Sequence, residues 1–390
     1  MKRSFSVIFI LLAFIITIGC FSGSYKTKAY ADNDTFDLNS KSAILIDANT
    51  KTVIYNKNEN EKLPIASMCK IMTLLLCFEA KDNGLISFDE TITISDNAAG
   101  MGGSQVFLEE NGEYKITELI KSITVASAND ACVAMAERIS GNENAFVELM
   151  NKRAKELGMD NTVFTNCTGL PKVGQFSCAK DVSIMFSELI KYPEYFRYSR
   201  IWTDVVMHPN DRKTEISNTN KLIRFYQGCD SGKTGYTSES GHCLAASAIR
   251  GDLRLISVVI SAPDSKSRFK DTSSMFNYGF ANYCNKKVVD DKTPLSIEVK
   301  VDGGKKENLE VVAEKPFFIL ASKNDKRSFE IEFEPTNKII APINKGDVVG
   351  ILNVYENNKH LATINVISNE NVLAKTYFDR IADISQNWAI

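Results

Sequence analysis

Apolar positions along the chain fall into three textures. The first is helical. The run Ile71-Met72-Thr73-Leu74-Leu75-Leu76-Cys77-Phe78 is apolar nearly all round a helix, the pattern of a helix buried inside a domain rather than lying on its surface. Helical periodicity returns around Ile116 to Ile123, from Asp130 to Ile139, from Ala145 to Leu157, where Gly158 ends it, and from Asp181 to Ile190. The second texture is paired short runs. Ala43 to Ile46 and Thr52 to Tyr55 flank the turn-rich Asp47-Ala48-Asn49-Thr50 and predict a hairpin; Cys243 to Ile249 and Leu253 to Ile260, split by Gly251-Asp252, predict two adjacent antiparallel strands. A helix from about Phe269 to Tyr283 closes this unit, so the succession predicts an α+β domain, an antiparallel sheet flanked by helices. The third texture begins after Lys286-Lys287. From Leu295 to Ile367 short alternating segments such as Ser296 to Val301 and Leu361 to Val366 are separated by Gly, Asn and Asp turns, which predicts a small all-β domain behind a linker near Asp290 to Pro294. The last stretch places Leu373, Tyr377, Ile381, Ile384 and Trp388 on one helical face, an amphipathic helix that can lie in a membrane interface or pack on the β domain.

Composition narrows this picture. With 390 residues and 44% hydrophobic content the chain can bury a full core and has room for two domains. A formal net charge of −2 with no long basic run argues against nucleic acid as a partner, and the three histidines, His208, His242 and His360, include no pair at metal-site spacing. The N-terminus runs from Met1-Lys2-Arg3 through an apolar stretch to Ala29-Tyr30-Ala31, the order of a secretory signal peptide covering residues 1–31. A single membrane anchor is the alternative, although the apolar core is short for a span; lipidation at Cys20 is another, with Thr17 a poor match. The nine cysteines show no compact disulfide framework and read as reduced, buried thiols, with Cys229 and Cys243 the one pair placed for a bridge.

Candidate chemistry begins just before the buried run. Pro64 sits where a helix can start, placing Ser67 in the first turn and Lys70 one turn on, beside it. A hydroxyl and an amine so placed form a serine nucleophile with a lysine base, and burial disfavours the ammonium form. Ser-x-x-Lys recurs at Ser177 and Ser267, so this motif alone is weak. Ser127-Ala128-Asn129 lies between two helical patterns, where side chains can point into a cleft. Lys233-Thr234-Gly235 occurs once, on an edge strand, where a cation, a hydroxyl and a glycine form a docking edge for an extended anionic substrate.

Ser-x-x-Lys, then Ser-x-Asn about 60 residues on, then Lys-Thr-Gly about 100 further, is the constellation of penicillin-binding proteins and class A β-lactamases. The chain resembles the low-molecular-mass penicillin-binding proteins that are serine-type D-alanyl-D-alanine carboxypeptidases. The likeness extends through Asn129 to Ala136, Lys155 to Met159, Gly241 to Ala248, and Ala341-Pro342-Ile343 with Gly346 and Val349-Gly350. It implies a catalytic domain over residues 32–288, a C-terminal β domain over 295–368 and a tail helix over 371–390. It implies that Ser67 forms an acyl-enzyme, Lys70 is the base, Ser127 relays a proton to the leaving amine, and Asn129 holds Lys70 and the substrate amide. Lys233 would add positive charge, Thr234 would bind the terminal carboxylate, and the backbone N–H groups of Ser67 and Tyr236 would form the oxyanion hole beside Gly235. Arg268, on the loop after the second strand, would assist carboxylate recognition; a solvated surface arginine is the other reading. The implied partners are peptidoglycan stem peptides ending in D-Ala-D-Ala, β-lactam antibiotics as covalent inhibitors and a membrane surface, with no cofactor and no metal. The implied location is the extracytoplasmic face of the bacterial membrane or the cell wall. Ala128 stands where many members have glycine, and Tyr236 where His or Phe is common. A D,D-endopeptidase would use the same site with a different cleft shape. A β-lactamase would need a Glu-x-x-Leu-Asn segment, which is absent, and a non-catalytic scaffold would have no need of the intact motifs.

Overall fold

Residues 37–336 and 338–381 are described by the computed structural model; the leader 1–31 and the far end of the tail, with Ile384 and Trp388, lie outside the described residues. Five strands form the central antiparallel sheet, in the spatial order Val53–Lys57, Ser42–Asp47, Leu253–Ala262, Gly241–Arg250, Cys229–Thr237. Successive side chains alternate between two apolar layers. Ile44 and Ile46 face the helices that carry the Ser67 region, while Ala43 and Leu45 face Met275, Phe276 and Phe280 of the helix Ser265–Asn282. With both faces covered, the inner strands read as unbroken apolar runs rather than as alternation.

The helix Lys70–Asp82 passes through the larger layer and buries Ile71, Met72, Leu74, Leu75, Leu76 and Phe78. Each such side chain contributes about 1.5–3 kcal/mol on leaving water, so the platform beneath the motif is held by packing rather than by helix propensity. Its start differs from the expectation. Pro64 does not open the α-helix: Leu63 is tied to Ser177 in an isolated bridge, Ala66 takes φ +47°, and a single 3-10 turn, Ala66–Cys69, precedes Lys70. A left-handed residue cannot continue a helix, so the regular turn begins only after it.

The helix Ser265–Asn282 starts earlier than its apolar pattern suggests, because Asp264 caps it by accepting from the Ser267 N–H at 2.8 Å. Arg268 therefore lies in the first helical turn, not on a loop. Cys229 and Cys243 stand on neighbouring strands but out of step, Cys229 opposite Ala248 and Cys243 opposite Gly235. Five or six residues separate them along the ladder, about 17 Å at ~3.3 Å per residue, beyond disulfide reach. All eight cysteines among the described residues are free, and all but Cys284 are buried.

Strand Tyr283–Val289 leaves the last helix directly and pairs with Phe317–Ser322. A four-stranded antiparallel sheet follows, in the order Val311–Ala313, Lys359–Ser368, Val348–Glu356, Glu330–Pro335, over a core that includes Val311, Leu352, Val354, Ile364 and Val366. Ser296 to Val301 does not form the strand its alternation predicts. Val299 and Val301 point into the core, but their backbone makes only isolated bridges, such as Lys300 with Asn308, before Gly303-Gly304 turns the chain. A helix begins at Tyr377, with Thr376 and Asp379 capping each other, and Tyr377, Phe378 and Ile381 stand exposed. Among the described residues no helix is long and apolar enough to cross a membrane.

Candidate active site

The three motifs converge although they lie far apart in sequence. Lys70, at the foot of the buried helix, is fully enclosed, and its Nζ donates to Ser67 Oγ at 3.1 Å, to Asn129 Oδ1 at 2.7 Å and to the Thr168 carbonyl. Ser67, on the 3-10 turn, is half-buried and open on one side. Ser127 sits between helices Ile116–Val125 and Asn129–Ser140 with φ +63°, a costly conformation that turns its side chain out of the helical path. Its Oγ accepts from Lys233 Nζ at 2.7 Å. Lys233 is itself buried on the edge strand, beside the likewise buried Thr234.

Among the described residues neither lysine forms an ion pair with a carboxylate, although the Asp130 charge reaches Lys70. Burial lowers the pKa of Lys70. Burial also pushes Lys233 well below the ordinary lysine value, and the neighbouring Lys70 and Arg268 cations add to the effect. Two amines confined in one small volume cannot both stay charged without cost, so at least one is biased toward the neutral form that a base requires.

Glycines let backbones meet here. A Cβ on Gly235 would lie 2.6 Å from the Ile65 carbonyl oxygen and 3.2 Å from the Ser67 nitrogen, so the edge strand passes directly along the Ser67 turn. On the other side a Cβ on Gly169 would fall 2.0 Å from the Ala66 carbonyl oxygen. Thr168 and Gly169 act through backbone atoms, which carry no side-chain signal in a sequence; Gly169 before Leu170-Pro171 is the hint of a turn there.

Arg268 is 9% exposed, which removes the surface-arginine reading. It donates to the carbonyls of Gly235 at 3.2 Å and Cys243 at 3.4 Å, behind the edge strand, and its buried Nε has no hydrogen-bond partner among the described residues. Tyr236 is 60% exposed at the rim, its ring stacked on His242 at 4.3 Å between centroids. Ala128 is fully buried in the helical core, so its methyl group faces away from the cleft.

A family description, D-alanyl-D-alanine carboxypeptidase, matches residues 26–264, and a second, penicillin-binding protein 5, C-terminal domain, matches residues 283–374. The chain is 41% identical over 363 residues to D-alanyl-D-alanine carboxypeptidase DacF of Bacillus subtilis, covering 92% of this chain and 93% of that one. Penicillin binding protein 5 from Haemophilus influenzae superposes with a TM-score of 0.68 at 30% identity, over 87% of this chain and 98% of its own. Penicillin-binding protein D2 from Listeria monocytogenes, in its ampicillin bound form, has a TM-score of 0.57 at 31% identity, over 63% of this chain and 99% of its own. Matched over residues 26–264 by the family description and along most of its length by its relatives, the chain belongs to the D-alanyl-D-alanine carboxypeptidase family.

Proposed function

We infer that this protein is a serine-type D-alanyl-D-alanine carboxypeptidase that removes the terminal D-alanine from peptidoglycan stem peptides. The observation that carries the reading is the 3.1 Å contact between Lys70 Nζ and Ser67 Oγ, with the amine buried and in no ion pair with a carboxylate among the described residues. A neutral Lys70 takes the Ser67 proton as Oγ attacks the carbonyl between the two D-alanines. The oxyanion is met by the backbone N–H groups of Ser67 and Tyr236, each donor worth about 3 kcal/mol. As the C–N bond breaks, Ser127 passes its hydroxyl proton to the leaving amine and takes one in return from the Lys233 ammonium that donates to its Oγ. Water then hydrolyses the ester to release the shortened peptide. Thr234, with the positive charge of Lys233 and Arg268 behind the strand, receives the substrate's terminal carboxylate. β-Lactams acylate the same serine, a reading supported by the ampicillin-bound relative.

Residues 1–31 act as an export signal and place the enzyme outside the cytoplasm, consistent with a wall substrate. Residues 371–390 attach it to a membrane surface, a reading supported by the exposed Leu373, Tyr377, Phe378 and Ile381. The activity is tested by release of D-alanine from a diacyl-lysyl-D-alanyl-D-alanine peptide, with Ser67→Ala alongside. Release by the parent and none by the variant is expected; equal release, or undiminished covalent penicillin labelling of Ser67→Ala, would overturn the assignment.

A further inference from the structure

Asn129 takes its orientation from a loop outside its own helix. Its Nδ2 donates to the Gly102 carbonyl at 2.7 Å and its backbone N–H to the Ser104 carbonyl at 2.7 Å, which leaves Oδ1 facing Lys70. Two residues on, the loop wraps around the buried Asp130 carboxylate, which accepts from the N–H groups of Val106 and Leu108, both at 3.1 Å. Phe107, between them, is forced to φ +63°. Such a conformation persists only where the surroundings hold it.

The holding contacts come from the tip of the hairpin Thr203–Met207 and Lys213–Ser217. His208 is 6% exposed there, with Nδ1 2.8 Å from the Tyr114 hydroxyl and Nε2 2.9 Å from Thr214 Oγ1. With the Tyr114 hydroxyl accepting from the Glu109 backbone N–H at 3.2 Å, the tautomer that leaves no buried proton unpaired has the Tyr114 hydroxyl donating to Nδ1 and the ring proton on Nε2 toward Thr214. Arg212 adds a bond to the Phe107 carbonyl and one to Glu109 Oε1 at 2.8 Å. Burial and the Arg212 cation hold His208 below the ordinary histidine pKa, which keeps Nδ1 free to accept.

We propose that Tyr114 and His208 are positioning residues for the active site: their clasp between the hairpin tip and the 102–109 loop holds the Asn129 amide oxygen against Lys70. The proposal rests on the reading of Ser67 and Lys70 as nucleophile and base. It has a consequence that mere stability does not. Lys70 is faced by Ser67, Asn129, the Thr168 carbonyl, Asp130, the thiols of Cys69, Cys132 and Cys167, and Lys233. Of these, Asn129 and Asp130 are tied to the loop. Withdrawing Asn129 Oδ1 removes an acceptor that favours the ammonium, and Asp130 deprived of loop N–H groups holds a proton more readily. Both changes make Lys70 easier to deprotonate.

The test follows acylation by a fluorescent penicillin against pH for the parent, Tyr114→Phe, His208→Leu and His208→Asn, with Ser67→Ala as the zero and melting temperatures measured for each. Tyr114→Phe and His208→Leu are expected to lower the plateau rate by about tenfold, the order for a small misplacement of a catalytic group, and to shift the acid limb to lower pH. His208→Asn, whose amide oxygen can replace Nδ1 as acceptor, is expected to restore both. Parental rates with a parental acid limb in Tyr114→Phe and His208→Leu would overturn the proposal. So would slower acylation with the acid limb unmoved, which would reduce the clasp to general stability. A parent that is not acylated would instead overturn the reading of Ser67, and the proposal with it.

Discussion

Replacing Gly169 by alanine tests whether the nucleophile turn is placed by backbone contact alone. Gly169 has φ +82°, and its would-be Cβ falls 2.0 Å from the Ala66 carbonyl oxygen, where ordinary contact begins at 3.4 Å. The neighbour is backbone, so no side chain can swing away. Relief requires about 1.4 Å of separation between the 168–169 segment and the Ala66–Ser67 turn, on top of about 1–2 kcal/mol for a left-handed alanine. Both partners matter to the site, since the Thr168 carbonyl accepts from Lys70 and Ala66 precedes the nucleophile. A displacement near 1 Å in a catalytic pair costs on the order of 100-fold. The second-order rate of acylation by a fluorescent penicillin, measured beside the melting temperature, should therefore fall about that much in Gly169→Ala while the protein stays folded. Acylation within about threefold of the parent would refute the argument that this contact sets the geometry.

The pH dependence of D-alanine release follows from the burial of Lys70. Its folded pKa lies below the ordinary 10.5, and only the neutral amine can take the Ser67 proton, so release should rise with pH through the folded value and level off below 10.5. A rate still climbing in proportion to hydroxide past that point would contradict a buried-lysine base. The tail offers a further check: flotation with phosphatidylcholine vesicles should be strong for the full protein and lost on removal of residues 371–390. Because Lys375, Asp379, Arg380 and Asp383 nearly cancel, added salt should leave it unchanged, and equal flotation of both forms would refute the membrane role.

The sequence by itself determined the local parts of this protein. Three residues make about one helical turn, so Ser67 and Lys70 had to be neighbours, and an all-round apolar run had to be buried. The Cys243 to Ile249 and Leu253 to Ile260 runs, split by Gly251-Asp252, announced two adjacent antiparallel strands, as found. Lys233-Thr234-Gly235 announced an edge strand, and Cys229–Thr237 closes one side of the sheet. What only the tertiary structure decided were the approaches between distant segments. Ala66 is left-handed because the turn is pinned between Gly169 and Gly235, and no local propensity encodes that. For Arg268 the sequence left carboxylate recognition and a solvated surface position both open and placed it on a loop; only the tertiary structure sets it in a helix over strands whose carbonyls receive it. The Thr168 carbonyl and the His208 clasp were invisible for the same reason. Backbone acceptors are identical at every position, and a hydrogen bond across about a hundred residues depends on chain paths set by the whole core rather than by spacing.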